Sequence, residues 1–222
     1  MCYNDDFASY SIAIIRSTRE IFSPYKEVDE LEKEFPTIWQ MVFTEEGDML
    51  FGKMNGKESG KAVIVEAISY WTGLPKEDFQ ALTNAKIINK NKNWVIDESV
   101  FEEFCELIKD TINYQVNDDL IAPKNMSERT RGIWDKLYKG RMMSARKGNN
   151  QTMADKILIL QISTDSYIPI EQIKNMSIYH FNKLYSALSE KDAYEAQWQI
   201  KMSPKFEASD NPKKHWKEKV KM

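Results

Sequence analysis

The chain has 222 residues, enough for one ordinary domain or two small ones, with 42% hydrophobic and 29% charged residues. Six Trp, ten Tyr and ten Phe supply ample material for a core, which excludes wholesale disorder, and no uncharged apolar run approaches the roughly 20 residues that span a bilayer. The net charge of −3 hides a division: residues 1–119 hold 12 Lys+Arg against 23 Asp+Glu, and residues 120–222 hold 19 against 11. One section therefore carries −11 and the other +8, which bears on association more than on fold.

Acids at Asp5 and Asp6 stand where a signal peptide would be positive, so export by that route is not expected. Cys2 and Cys105 make neither a disulfide framework nor a metal cluster, which suits a reducing, cytoplasmic setting. From Glu27 to Phe43, Val28, Leu31, Phe35, Ile38, Trp39 and Val42 recur at helical spacing, with a break expected at Pro36. Gly47, Gly52, Gly56 and Gly60 suggest a loop, with a short strand around Met49-Leu50-Phe51. Ser59 and Gly73 bracket a second helix, and Pro75 with Glu77 and Asp78 is expected to start a short third one carrying Phe79 and Leu82.

Ile87-Ile88 and Trp94-Val95-Ile96 flank a polar run and read as a hairpin over residues 86–96. Asp97 or Ser99 then caps a helix whose apolar face holds Phe101, Phe104, Cys105, Ile108 and Ile112. On that face Cys105 reads as a small buried hydrophobe, since no activating group accompanies it in sequence. A connector near residues 115–126 coincides with the change of charge sign. Division there gives an acidic helical subdomain 1–119, a basic helical subdomain 120–203 and a lysine-rich tail 204–222.

Ser127 opens a helix to about Arg146, in which Ile133, Trp134, Leu137 and Met142 are expected to face inward. Arg129, Arg131, Lys136, Lys139, Arg141 and Arg146 would then form an exposed cationic ridge. Thr152 and Asp155 signal a cap before the apolar Ile157–Ile162, read as helix, and Pro169 starts a short helix. Ser177 caps a further one, or two, bearing Ile178, Phe181, Leu184, Tyr185 and Leu188, with His180 on the same apolar face. The fold class is thus mainly α, a multi-helix globule with one small hairpin.

Chemistry is sparsely signalled. The glycine-lysine stretch from Gly52 to Ala62 lacks both the first glycine (Asn55 stands there) and the final hydroxyl (Ala62) of a phosphate-binding loop. The pairs Glu45-Glu46, Glu102-Glu103 and Asp118-Asp119 read as solvated surface, and neither a catalytic residue, a metal nor a cofactor is expected. Residues 169–188 have the outline of a helix–turn–helix. Its second helix, however, begins Ile178-Tyr179-His180-Phe181, apolar where a base-reading helix would be polar.

The combination of Met153–Ile157, Ser166–Ile170, Ser177–Leu184 and the ending His215-Trp216-Lys217 resembles tail- and baseplate-associated proteins of bacteriophages infecting low-GC bacteria. The resemblance implies a non-enzymatic role, as a virion component or assembly chaperone in the host cytoplasm, with other tail or baseplate proteins, or itself, as partner. Tyr179, Phe181, Tyr185 and Trp198, with Arg129, Arg131, Arg141 and Arg146, are the expected contact residues. The alternative is nucleic-acid binding through the basic helix 127–147.

Overall fold

The computed structural model describes residues 5–147, 153–163, 167–202, His215 and Lys217. It is mainly α-helical with one small antiparallel sheet, as the sequence pattern implies. Its described residues group into two compact units, one of residues 5–109 and 115–147, the other of residues 110–114 with 153–163 and 167–202. Compactness thus groups residues 120–147 with the acidic section, whereas charge groups them with the residues that follow. The tail 204–222 lies, apart from His215 and Lys217, outside the described residues.

Before Glu27 periodicity assigns nothing, yet two helices form. α1 spans Asp5–Ile15 and α2 spans Thr18–Phe22. A complete capping box starts α2: Glu20 N donates to Ser17 Oγ at 3.2 Å, and Ser17 N donates to Glu20 Oε2 at 2.8 Å. The helix expected over 27–43 is interrupted around Pro36, giving α3 (Val28–Glu34) and α4 (Ile38–Val42), the latter capped by Thr37.

The glycine loop is a correction. Residues 45–54 form helix α5 (Glu45–Met54), with no strand at Met49–Phe51. Thr44 Oγ1 accepts from Gly47 N at 3.1 Å, and Glu45, Glu46 and Asp48 fill the first turn, where the helix dipole favours acids. Helix α6 (Gly60–Thr72) has the bounds its caps foretell, with Ser59 at its start and left-handed Gly73 (φ 69°) at its end. The helix expected after Pro75 is one 3-10 turn, Lys76–Asp78, followed by strand β1 (Phe79–Leu82). Pairing decides the difference, because β1 lies antiparallel to β2 (Lys86–Asn89), which lies antiparallel to β3 (Trp94–Ile96). A lone hairpin is marginal in water, and the third strand supplies what it lacks.

Helix α7 (Glu98–Ile112) is capped by Asp97, whose Oδ1 accepts from Val100 N at 3.1 Å, and it buries Phe101, Cys105 and Ile108 as the spacing requires. Helix α8 (Glu128–Lys147) starts at Ser127, whose Oγ accepts from Thr130 N at 3.2 Å. The core of this unit includes Phe22, Met41, Val42, Phe51, Ile64 and Ile87, all fully buried.

In the C-terminal unit, α9 (Met153–Ser163) confirms the apolar run as helix, α10 covers Ile170–Lys174, and α11 is one continuous helix, Ile178–Met202. Thr152, the expected cap of α9, lies outside the described residues. Leu160, Ile173, Phe181 and Leu188 form the buried cluster. Asn182 Nδ2 donates to Thr111 O at 3.0 Å, tying α11 to the segment 110–114 of the same unit. His180 is exposed, contrary to expectation: Phe181, Leu184, Tyr185 and Leu188 define the inward stripe of α11, and His180 falls off it.

Candidate functional site

The expected contact residues occupy two separate groups. Arg129, Arg131, Arg141 and Arg146 belong to α8 in the N-terminal unit, and Tyr179, Phe181, Tyr185 and Trp198 to α11 in the C-terminal unit. Within the second group Phe181 is core, and Tyr185 is half-buried against that core, with Lys156 Nζ 5.4 Å from its ring centre. Tyr179 and Trp198 are exposed, the latter set edge-on to Tyr194 at 6.1 Å.

Helix α8 is rotated from the expected setting. Arg131 and Trp134 are buried on its inner side and Tyr138 is half-buried, whereas Ile133 and Leu137 stand 54% and 51% exposed. The guanidinium decides this rotation. Arg131 Nη2 donates to Ser23 O at 2.8 Å, Nε donates to Asp135 Oδ1 at 2.8 Å, and the group lies 4.9 Å from the Trp134 ring centre. A carbonyl, a carboxylate and a ring face hold the cation on the inner side, and with it there Ile133 and Leu137 turn outward. The i,i+4 spacing of Arg131 and Asp135 was the available signal. Arg131 therefore lies beneath the ridge it was expected to help form. Arg141 is half-exposed, and its Nη1 donates to Asp119 O at 2.7 Å. Arg146 lies in the last turn of α8, its side chain outside the described residues.

What remains outward on α8 is a surface of mixed character. Arg129, Lys136 and Lys139 are exposed around Ile133 and Leu137, together with Met143. A Cβ added at Gly132 or Gly140 would meet nothing within 4 Å, so both glycines leave the helix backbone open to close approach. The described acids of this helix are Glu128, at its first position, and Asp135, already paired with Arg131.

Beneath α8 lies a buried polar hub that the pattern of charges did not foretell. Arg19 Nε donates to Ala122 O at 2.7 Å, both Nη atoms lie 3.0 Å from Asp29 Oδ1, and Nη1 also pairs with Glu32. Asp29 Oδ2 accepts from Asn125 N at 3.0 Å, and Ser23 Oγ accepts from Ala122 N at 2.8 Å. Segment 120–126, at the change of charge sign, is thereby fastened to α2 and α3, and Lys124 adds a looser pair with Glu32 at 3.8 Å. Part of the charge division is thus answered inside this unit.

Described residues of the N-terminal unit line at least two cavities. One, of about 300 Å³, is lined by residues including Ser17, Thr37, Trp39, Cys105 and Lys109. Cys105 Sγ donates to Ile14 O at 3.3 Å, and burial pushes its thiol up to about 12, against smaller opposing and reinforcing effects of Lys109, Glu106 and Glu102. At neutral pH it is a packed thiol without nucleophilic character. We expect Cys105 to resist a soluble thiol reagent at pH 8 in the folded protein and to react at once in denaturant; labelling at equal rates in both states would contradict this placement. The other cavity, of about 380 Å³, runs between α6, β3 and α7 and is lined mainly by apolar side chains. Among the described residues no group of three His, Cys, Asp or Glu is placed to hold a metal, and no helix is long and apolar enough to cross a membrane.

Residues 145–221 match the family model of the YomV second domain. That family is phage-derived. The YomV match takes in α9, α10 and α11 and coincides closely with the C-terminal compact unit. No curated protein and no solved structure matches the chain. The YomV match supports the phage association read from Met153–Ile157 and Ser177–Leu184, and it does not reach α1 to α7 or more than the last turn of α8.

Proposed function

We propose that the protein acts by protein–protein contact in phage tail or baseplate assembly, as a virion component or an assembly chaperone, with the outward face of α8 as its docking surface. The observation that carries this reading is the exposure of Ile133 and Leu137 within a frame of Arg129, Lys136 and Lys139. Covering what remains exposed of these two half-covered aliphatic side chains is worth about 1 kcal/mol each, and a phosphate backbone cannot collect that energy. The cations steer and orient an acidic partner, while Gly132 and Gly140 let a partner helix come close.

The test mixes the purified full chain with the tail and baseplate proteins of a phage encoding it and follows co-elution by light scattering. Capture of one of them is expected, and Ile133→Asp with Leu137→Asp should weaken it by about 2 kcal/mol or more while the circular dichroism spectrum is unchanged. Capture of none, or capture indifferent to that pair, overturns the proposal. Duplex DNA bound with a steep inverse salt dependence, and released by Arg129→Ala with Lys136→Ala, would put nucleic-acid binding in its place.

A further inference from the structure

The sheet ends in an unprotected edge whose backbone geometry can be worked out. Lys90 N donates to Asp78 O at 2.9 Å, extending the ladder between β1 and β2. Backbone groups point alternately to the two sides of a strand, so Ile88 and Lys90 face β1 while Ile87 and Asn89 face β3. With Ile87 opposite Ile96, Ile88 opposite Val95 and Asn89 opposite Trp94, the residues bonded to β2 are Trp94 and Ile96. Val95 then turns its N–H and C=O to the open side, because β3 is the last strand of the order β1-β2-β3. Val95 is 53% exposed and Trp94 44%, and the apolar cavity of about 380 Å³, lined by Ile68, Trp94, Val95, Val100 and Phe104 among others, adjoins them. Open edges of this kind are templates for another strand.

The charges select which strand. Lys90 and Lys92 precede β3, and Asp97 and Glu98 follow it. We propose that two copies of the chain join through β3, antiparallel, with a two-fold axis at Val95. Val95 pairs with its own counterpart and Trp94 with Ile96, and beyond these three residues the turn that carries Lys92 comes beside the other copy's Asp97 and Glu98, so each basic end meets an acidic one. Parallel pairing would set like charges together. Asp97 and Glu98 are each engaged through one oxygen, Asp97 Oδ1 accepting from Val100 N of its own helix and Glu98 Oε1 accepting from Thr37 and Gln40 of α4, which leaves the second oxygen of each for the other copy's lysine. One short surface thus complements itself, the requirement of an isologous dimer.

Sedimentation equilibrium of the full chain across a concentration series tests this. A dimer is expected, and Lys92→Glu should raise its dissociation constant by roughly tenfold, since two cross-copy pairs become repulsive. Val95→Pro, which removes an N–H that the native sheet does not use, should weaken it at least as much. Should circular dichroism show that the proline variant fails to fold, Lys92→Glu decides alone, its side chain being on an exposed turn. A wild-type monomer throughout, or a dimer indifferent to a folded Lys92→Glu, overturns the proposal. The pairing needs no tail protein: a dimer that captures none refutes only the functional proposal, and a monomer that captures one refutes only this one.

Discussion

Arg19→Met is expected to lower the stability of the N-terminal unit by about 3 kcal/mol, the low end of what removing one partner from a buried ion pair costs. The guanidinium is nine-tenths buried and serves Ala122 O, Asp29 and Glu32 together. Without it two carboxylates face each other across the space it filled, and a buried carbonyl loses its donor. Both carboxylates keep contact with water, at 26% and 27% exposure, which holds the loss to the low end. Urea unfolding followed by tryptophan fluorescence measures it; a loss under about 1 kcal/mol would reduce the hub to an ordinary solvated pair.

The same hub sets an acid limit. Burial pushes the Asp29 carboxyl up, but the hydrogen bonds from Arg19 and Asn125 N and the charges of Arg19 and Lys33 outweigh it and leave it below the ordinary 3.8. As pH falls, the unfolded chain takes the proton first. The contribution of Asp29 is therefore complete above roughly pH 5 and fades as pH drops through 3.8 to the lower folded value. Asp29→Asn should flatten that limb of the stability curve, and an unaltered acid transition would remove Asp29 from its causes.

Gly52→Ala is expected to destabilise by about 1–3 kcal/mol, although replacing glycine by alanine inside a helix ordinarily gains close to 1 kcal/mol. A Cβ at Gly52 would lie 2.7 Å from the carbonyl carbon and Cα of Ser59 and 2.8 Å from its nitrogen. Those are backbone atoms of the residue that caps α6, with Ser59 Oγ accepting from Ala62 N at 3.1 Å, so they cannot swing aside. Gly132→Ala on α8, where the added methyl meets open space, should show the opposite sign and gain up to about 1 kcal/mol. Thermal unfolding of the two variants beside wild type decides the matter, and a stabilised Gly52→Ala would mean that α5 and the turn at Ser59 can part without cost.

The contrast between those glycines marks where sequence reading runs out. Gly73 ends α6 in the left-handed conformation a helix terminus invites, and its role is local. Gly47 and Gly52 look like loop residues by composition, yet they sit inside α5 where the adjoining elements need the room: a Cβ at Gly47 would fall 2.2 Å from Met41 O of α4. The strand β1 was missed for a related reason, since Phe79–Leu82 becomes a strand by pairing with Lys86–Asn89.

What the sequence by itself determined was governed by neighbours a few residues away: the caps at Ser59, Ser127 and Ser177, the break around Pro36, the buried face of Phe101, Cys105 and Ile108, and the predominance of helix. Tertiary structure alone decided which side of α8 faces inward, that Arg131 is buried while Ile133 and Leu137 are not, and that Arg19 gathers Asp29, Glu32 and Ala122. Periodicity ranks faces by hydrophobicity, but a guanidinium held by a carbonyl, a carboxylate and an indole ring can lie inside, and the carbonyl, that of Ser23, reaches it only when the chain has folded.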